Sequence, residues 1–475
     1  METVMDDRKL PSIDAENLKE LLENEFEQCI VDVTQAVNDG RAGSVIDDSE
    51  EPVRQAMGRF RQQVFEKAIQ MKINAAQAAF SPRENPKIKR KYRHKGKQKV
   101  SRDTVNGNIC FERIRWWSRE HGVDDTIDRL IGAVADTVSV GVRQMCCRVA
   151  ISQQGFSKGA EHLYNLAQVK ISPERLRMIS ETEGQRVLLL QRKGCIDPDL
   201  NAQNSKAAPD GPSRVYTGVD GVMVPMITQE EKQKRRQKRG PKPKGSRRRR
   251  MHAGADNAYK EFKIATFYDE SNEHRHVTAT AGDHKVLGKL VRRQAGCLKL
   301  NEFDEKVAIA DGAEWIHRQL QINVPILDAF ILDFYHFSEH IWEVANQCFG
   351  INSDDAGKFA EDLLHIARHE GITDVLVKLE QLRKEVRSQN KRKALRELLK
   401  YIGKRAGQCD YPGFREKGWQ IGSGPTEAMC KVLTYRLKGA GMRWDRQGAE
   451  PIMALIALEQ SNIWNRYWNR QKVAA

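Results

Sequence analysis

An aspartate stands inside the apolar run 215–224, Val-Tyr-Thr-Gly-Val-Asp-Gly-Val-Met-Val, and a second, Asp311, closes the run Val-Ala-Ile-Ala at 307–310. Short runs of this kind are buried strands. A carboxylate emerging from one must be paired, capped or bound to a cation, because an isolated buried charge is too costly. Asp before Gly, as at Asp220 and Asp311, is also an ordinary turn residue. Two at matching strand ends, in a chain with a strongly basic surface, shift the balance toward a Mg²⁺ site for phosphoryl transfer.

The surrounding pattern is α/β. Residues 215–224, 262–267 and 276–280 read as strands, the last two flanking Asp269-Glu-Ser-Asn-Glu as a hairpin. A helix over 284–295, the 307–310 run, a helix after Ala313 and a strand at 329–332 follow. Three antiparallel strands followed by alternating helix and strand imply a mixed sheet. From 334 to about 404 the pattern is helical and highly charged, and a last helical stretch covers 425–468.

Upstream, 14–36 and 52–80 read as helices, with Pro52 at the first helical position and Val53, Met57, Phe60, Val64 and Met71 at three- and four-residue steps. That stripe serves a core or, in the sharper alternative, a coiled-coil seam between protomers. Asn106-Gly107 predicts a two-residue hairpin turn between 100–105 and 108–114. Residues 124–149 look helical, and 157–168 with 173–192 form a helix pair open to a helix-turn-helix or a bundle reading. The breaker-rich segment 196–213 is the clearest linker.

Charge is concentrated in two strips. Residues 83–102 hold ten Lys/Arg and one Glu, and 229–250 hold twelve Lys/Arg and two Glu, so the strips carry +19 of a total of +15 and the remainder is net −4. This is the footprint of a protein that neutralises phosphates. On the hairpin, Lys97, Lys99, Arg102, Arg113 and Arg115 are candidate DNA contacts, with Trp116 and Trp117 divided between core and base stacking. In the second strip the candidates are Arg235, Arg236, Lys238, Arg239, Arg247, Arg248, Arg249 and Arg250, on a segment whose Gly and Pro from 240 to 245 favour a mobile loop. No run approaches the roughly 18 apolar residues needed to span a bilayer, and the acidic N-terminus is unlike a signal peptide, so a cytoplasmic protein is expected. Nine cysteines without any C-x-x-C support neither a disulfide scaffold nor zinc.

The third acid is Glu427 in Ile421-Gly-Ser-Gly-Pro-Thr-Glu. With Gly424 as N-cap and Pro425 first in the helix, Glu427 would simply complement the helix dipole. The set Val219-Asp220-Gly221, Ile309-Ala-Asp311-Gly-Ala-Glu-Trp315, Leu332-Asp333-Phe-Tyr-His336 and Gly422-Ser-Gly-Pro-Thr-Glu427, followed by Arg436-Leu-Lys438-Gly-Ala-Gly-Met442-Arg-Trp444, resembles the DDE transposases of bacterial insertion sequences, in particular the Kra-type group related to Mutator-like transposases. The resemblance runs from about 150 to 470. It implies a ribonuclease-H-like catalytic domain, a mixed sheet with helices, in which the first and fourth strands are neighbours and bring Asp220 and Asp311 together. It further implies an all-helical insertion before the glutamate, Asp220, Asp311 and Glu427 as ligands of Mg²⁺ or Mn²⁺, and a supporting D-x-x-H signature at Asp333 and His336. Lys431, Arg436 and Lys438 join the expected DNA contacts. The group commonly carries a cysteine pair before the region of 110–130. Here only Cys110 remains, so no zinc ribbon is expected.

Between the two strand-end acids, Gly312 lets a backbone pass close to a metal or substrate after Asp311, whereas bulky Phe334 and Tyr335 follow Asp333. The spacing of Asp333 and His336 suits a hydrogen-bonded pair supporting the site.

The expected organisation is a mainly helical DNA-binding N-terminal region, made of a helical and oligomerising segment (1–82), a basic hairpin (83–123) and a helical segment (124–195). The linker 196–213, a catalytic core (214–336), a helical insertion (337–420) and C-terminal helices (421–475) follow. The expected function is transposition: binding of element ends and target DNA in the bacterial nucleoid by at least a dimer, with metal-dependent phosphodiester cleavage and strand transfer. The alternatives are a non-catalytic DNA-binding derivative of a transposase and a ribonuclease-H-like nuclease or resolvase. Deleting residues 232–250 is expected to weaken binding to all DNA sequences alike and to flatten the slope of log affinity against log salt, measured by fluorescence anisotropy across a salt series.

Overall fold

The computed structural model describes residues 11–80, 92–120, 122–123, 126–132, 137–153, 155–227, 229–238, 259–439, 442 and 444–474. The chain forms two compact units, Met1–Ser180 with Trp468–Ala475, and Glu181–Tyr467.

In the first unit, helices Ala15–Leu21, Glu23–Asn38 and Val45–Phe80 precede a sheet of β1 (Arg93–Thr104), β2 (Gly107–Ser118) and β3 (Gly122–Val123). The long helix starts before Pro52 because Asp48 organises its first turn, accepting from Ser44 Oγ at 2.8 Å and from the Arg41 guanidinium at 2.8 Å. Its apolar face reaches Ile109 and Phe111 through Ile73. Its polar face does something the hydrophobic pattern does not show. Glu66 accepts from Cys110 N at 2.7 Å, Gln70 brackets the backbone of Glu112 at 2.7 and 2.9 Å, and Gln77 accepts from Ile114 N at 2.6 Å. Side chains at helical spacing thus stand in for a neighbouring strand along β2, which protects an edge that would otherwise invite pairing with another chain.

The hairpin forms one residue earlier than Asn106-Gly107 suggests. Thr104 pairs with Gly107, leaving Val105-Asn106 as the loop and Gly107, at φ 113°, opening β2. The stretch expected to be one helix over 124–149 contains helices Thr126–Leu130 and Val140–Ser152, the second capped by Ser139 Oγ accepting from Val142 N at 3.3 Å. Helices Phe156–Ala167 and Pro173–Lys193 follow.

In the second unit, β4 (Arg214–Pro225), β5 (Tyr259–Tyr268), β6 (Arg275–Thr280), β7 (Glu305–Ala310) and β8 (Ala329–Leu332) form one sheet in the order β6-β5-β4-β7-β8. The β4/β5 and β5/β6 pairs are antiparallel, and β4/β7 and β7/β8 parallel. Segment 196–213 packs rather than links: Leu200 is fully buried with Val215 and Leu287, and Asn201 caps the turn Ala202–Asn204. Its polar composition hides one core leucine.

Alternation along the strands divides the core. Val215 and Val219 of β4 and Ala308 and Ala310 of β7 meet the helices His284–Cys297 and Glu314–Asn323. Tyr216, Val307 and Ile309 face the other way, against a layer that includes Phe334–Phe349, Asp354–His369, Ile372–Glu385 and Gln389–Gly403. The expected C-terminal helical stretch is three helices, Gly424–Lys438, Arg446–Gln460 and Trp464–Ala474.

The first of these helices meets β4 where no side chain intervenes. A Cβ on Gly218 would lie 1.8 Å from Thr426 Oγ1, and Thr426 Oγ1 instead hydrogen-bonds Thr266 Oγ1 at 2.9 Å. Gly218→Ala is expected to destabilise this unit by about 1 to 3 kcal/mol, the usual cost of overpacking. Adding Thr426→Ala should recover much of that loss in urea unfolding, as a coupled pair requires.

Candidate active site at the β4 and β7 strand ends

The parallel pairing of β4 with β7 keeps a constant register, from Arg214 opposite Glu305 to Gly218 opposite Ile309. Asp220 and Asp311 each lie two residues beyond the last pair of that register, and the charge of Asp311 acts on Asp220. Both continue the face of Tyr216, Val307 and Ile309, the side covered by the helical insertion. The 91-residue separation in sequence therefore closes into neighbouring positions on one side of the sheet.

Asp220 is half-buried, and burial together with the Asp311 carboxylate raises its pKa above the ordinary aspartate value. A hydrogen bond from the Cys430 thiol, a bond from Gly221 N at 2.6 Å and the nearby His336 imidazole oppose that rise without cancelling it. Cys430 sits one helical turn beyond Glu427, and its own thiol is pushed up first by burial and then by Asp220 and Glu427. The Gly424–Lys438 helix thereby joins the site through a residue that the sequence motif does not flag.

Asp311 Oδ1 accepts from Ala313 N at 2.9 Å, which folds the chain sharply after the strand. Gly312, at φ 78°, completes that turn, and a Cβ there would lie 2.4 Å from Leu332 Cδ1. The Gly312 carbonyl accepts from Arg405 Nε and Nη2 at 3.0 and 2.8 Å, while Arg405 Nη1 donates to Tyr401 O at 3.1 Å and the guanidinium lies 4.1 Å from the Tyr401 ring centroid. The helical insertion thus buttresses the Asp311 turn. Nothing in the spacing of Arg405 announces this, since 93 residues separate the partners.

Asp333 is 2 % exposed and is consumed by structure. It caps the Phe334–Phe349 helix by accepting from Tyr335 N at 3.2 Å, and it accepts from Ser423 N at 3.2 Å and Ser423 Oγ at 2.8 Å. The hydrogen-bonded pair of Asp333 and His336 does not form: His336 Nδ1 lies 3.2 Å from Glu339 instead, because a cap residue points along the helix axis while His336 projects sideways. Ser423, not Gly424, is the N-cap residue of the Gly424–Lys438 helix. Its hydroxyl, held by Asp333, is 3.5 Å from Glu427 Oε1, so Asp333 reaches the glutamate through Ser423.

Glu427 is joined to this region through Cys430, whose thiol hydrogen-bonds Asp220 and is pushed up by burial and then by the Asp220 and Glu427 charges. Among the described residues no group of three or more His, Cys, Asp or Glu is assembled to hold a metal ion. Asp220 and Asp311 share one side of the sheet, and among the described residues Glu427 does not complete a ligand set with them. The chemistry of the pair still fits a hard divalent cation. Two adjacent carboxylates, one of them penalised as an anion, provide oxygen donors and an unbalanced negative charge.

The expected DNA contacts divide. Lys97, Lys99 and Arg115 are exposed and Arg102 is partly exposed on the hairpin, while Arg113 turns inward to an ion pair with buried Asp128. Trp116 is buried, and the Lys95 ammonium lies 5.3 Å from the Trp117 ring. Lys431 and Lys438 are exposed. Arg436 is buried, lies 5.0 Å from the Trp444 ring and has a pKa lowered by burial to about 10, so it serves the interior. Arg235, Arg236 and Lys238 belong to a helix, Gln229–Lys238; the expected loop of 238–250 lies, beyond Lys238, outside the described residues, and with it Arg239 and Arg247 to Arg250.

No protein-family model matches the chain, and no curated protein matches it. Among solved structures, the Drosophila P element transposase strand transfer complex aligns with 71% of this chain and 83% of that chain at 12% identity and a TM-score of 0.25, a loose likeness. No helix among the described residues is long and apolar enough to cross a membrane.

The raised pKa of Asp220 fixes the sign of a stability effect. The fold favours the protonated acid, so ionisation costs stability as pH rises from the ordinary aspartate range through the raised value. Asp220→Asn keeps the shape and removes that cost. Thermal unfolding in EDTA is expected to show the variant gaining on wild type as pH rises above the ordinary aspartate range of about 4, with the ionisation-linked gain absent near pH 3.

Proposed function

We propose that the protein is a transposase that cleaves phosphodiester bonds at the ends of its DNA element and joins the freed 3′ hydroxyl to target DNA, with Mg²⁺ or Mn²⁺ as cofactor. The observation that carries this reading is that Asp220 and Asp311 follow the last paired residues of adjacent parallel strands on one side of the sheet, with Asp220 penalised as an anion by burial and by the Asp311 charge. The strand order and senses agree with the ribonuclease-H-like domain that the sequence resemblance implies. A divalent cation bound there supplies charge neutralisation and lowers the pKa of an attacking water or hydroxyl.

The chain's own residues have distinct tasks in this reading. Asp220 and Asp311 hold the cation, and Glu427 approaches from the Gly424–Lys438 helix as the third carboxylate. Ser423 and Asp333 orient the start of that helix, and Arg405 holds the turn after Asp311. Lys431 and Lys438, on the same helix as Glu427, are positioned to bind phosphates leading to the site. A ribonuclease-H-like nuclease or resolvase would share the carboxylates, and strand-transfer products rather than nicks alone separate the two.

Asp220→Asn and Asp311→Ala are expected to abolish cleavage of element-end DNA while leaving its binding intact. Arg405→Ala should lower single-turnover cleavage about 10- to 100-fold, as loss of a supporting group does. Millimolar Mg²⁺ should raise the melting temperature of wild type but not of Asp220→Asn. Undiminished cleavage by Asp220→Asn, or equal stabilisation of both proteins by Mg²⁺, refutes the assignment.

A further inference from the structure

The helix His284–Cys297 carries His284, Lys285, Lys289, Arg292 and Arg293 and no acidic residue. Its inner side, Leu287, Val291 and Ala295, packs on the face of the sheet opposite the Asp220 and Asp311 pair. Lys285, Lys289 and Arg293 are exposed and four residues apart, so they form one outward stripe rising roughly 12 Å along the helix. Like charges at this spacing repel by about 0.2 to 0.5 kcal/mol per pair. The only acid at this helix's start, Asp283, is engaged as its N-cap, accepting from Val286 N at 2.9 Å.

Beside the stripe runs a groove of about 240 Å³ lined by Leu188, Arg192, Thr280, Lys289, Leu290 and Arg293 among others. Its walls hold three cations and no carboxylate. Arg192 lies 4.0 Å from Glu450, whose carboxylate also accepts from Ala281 N at 2.8 Å and from Arg446 at 3.3 Å. These cations lie outside both charged strips of the sequence, and the groove they line holds no carboxylate.

We propose that Lys285, Lys289 and Arg293, with Arg192 across the groove, bind the sugar-phosphate backbone of a duplex DNA segment other than the one presented to the carboxylates. The proposal rests on the nucleic-acid reading above. The sheet and its helical layer separate this stripe from Asp220 and Asp311, so phosphates held here are not those undergoing chemistry. Regularly spaced cations without an aromatic partner suit backbone contact rather than base readout.

The test uses the full-length protein and nonspecific duplex DNA of about 40 base pairs. Each phosphate contact adds about 0.9 to the salt slope of log affinity, so Lys285→Gln/Lys289→Gln/Arg293→Gln is expected to lower that slope by about 2 to 3. Asp220→Asn should leave the slope unchanged, which keeps this outcome independent of the catalytic assignment. In wild type, duplex DNA should protect Lys285 and Lys289 from acetylation read by mass spectrometry, a measurement that does not depend on a folded variant. Duplex RNA and polyglutamate serve as parallel ligands. Equal protection by RNA marks a general phosphate surface and narrows the proposal to backbone chemistry, while protection by polyglutamate alone overturns it. An unchanged salt slope with undiminished acetylation overturns it as well, whatever the carboxylates do.

Discussion

The candidate site depends on how closely the Gly424–Lys438 helix approaches β4. Gly218 provides the space, Thr426 fills it, and the bond between Thr426 and Thr266 fixes the height of the helix above the sheet. From that contact the helix runs through Glu427 to Cys430, whose thiol hydrogen-bonds Asp220. A single methyl group at position 218 would push the helix away from β4 and with it Cys430 from Asp220. The sheet alone supplies two carboxylates; this contact brings the helix that carries Glu427 against β4.

The loop leading into that helix is fixed as firmly. Arg214, buried at the start of β4, pairs with Glu270 at 2.8 Å and Glu305 at 2.5 Å and donates to the carbonyls of Lys417 and Gly418. Tyr216 donates to Glu270 at 2.7 Å and accepts from Gln420 N at 3.0 Å. These bonds tie the end of the helical insertion back to the first strand of the sheet, and Asp333 takes over at Ser423. Breaking one partner of such a buried network costs far more than an exposed pair is worth, because the remaining charge is left without compensation. The stability spent on the close acids is thus offset by a dense polar frame around them.

Elements with a strong period were legible from residues alone. The strand at 329–332 and the helices at 284–295 and 173–192 lie within a few residues of their structural bounds, and the antiparallel-then-parallel sheet follows from their order. Misreadings arose where a local signal had two uses. Pro52 looked like a helix start because proline suits that position, but Asp48 begins the helix earlier. Arg113 and Arg436 looked like phosphate contacts, and Asp128 and Trp444 draw them inside. Asp333 and His336 have the spacing of a pair, yet helix capping claims the aspartate first.

The sequence by itself determined the class of architecture, the identity of the strand-end acids and the location of the two basic strips, since each depends on hydrophobic period or on local composition. It also held the resemblance in its motifs. Only the tertiary structure decided that Asp220 and Asp311 come to one side of neighbouring strands, that Cys430 and Arg405 attend them while Ser423 links Asp333 to Glu427, and that helix His284–Cys297 presents a further basic surface. The contacts of Asp220 with Asp311 and Cys430 and of Arg405 with Gly312 join residues 91 to 210 positions apart. Contacts over such distances are set by packing and by the competition of polar groups for partners, and neither is written in the spacing of a motif.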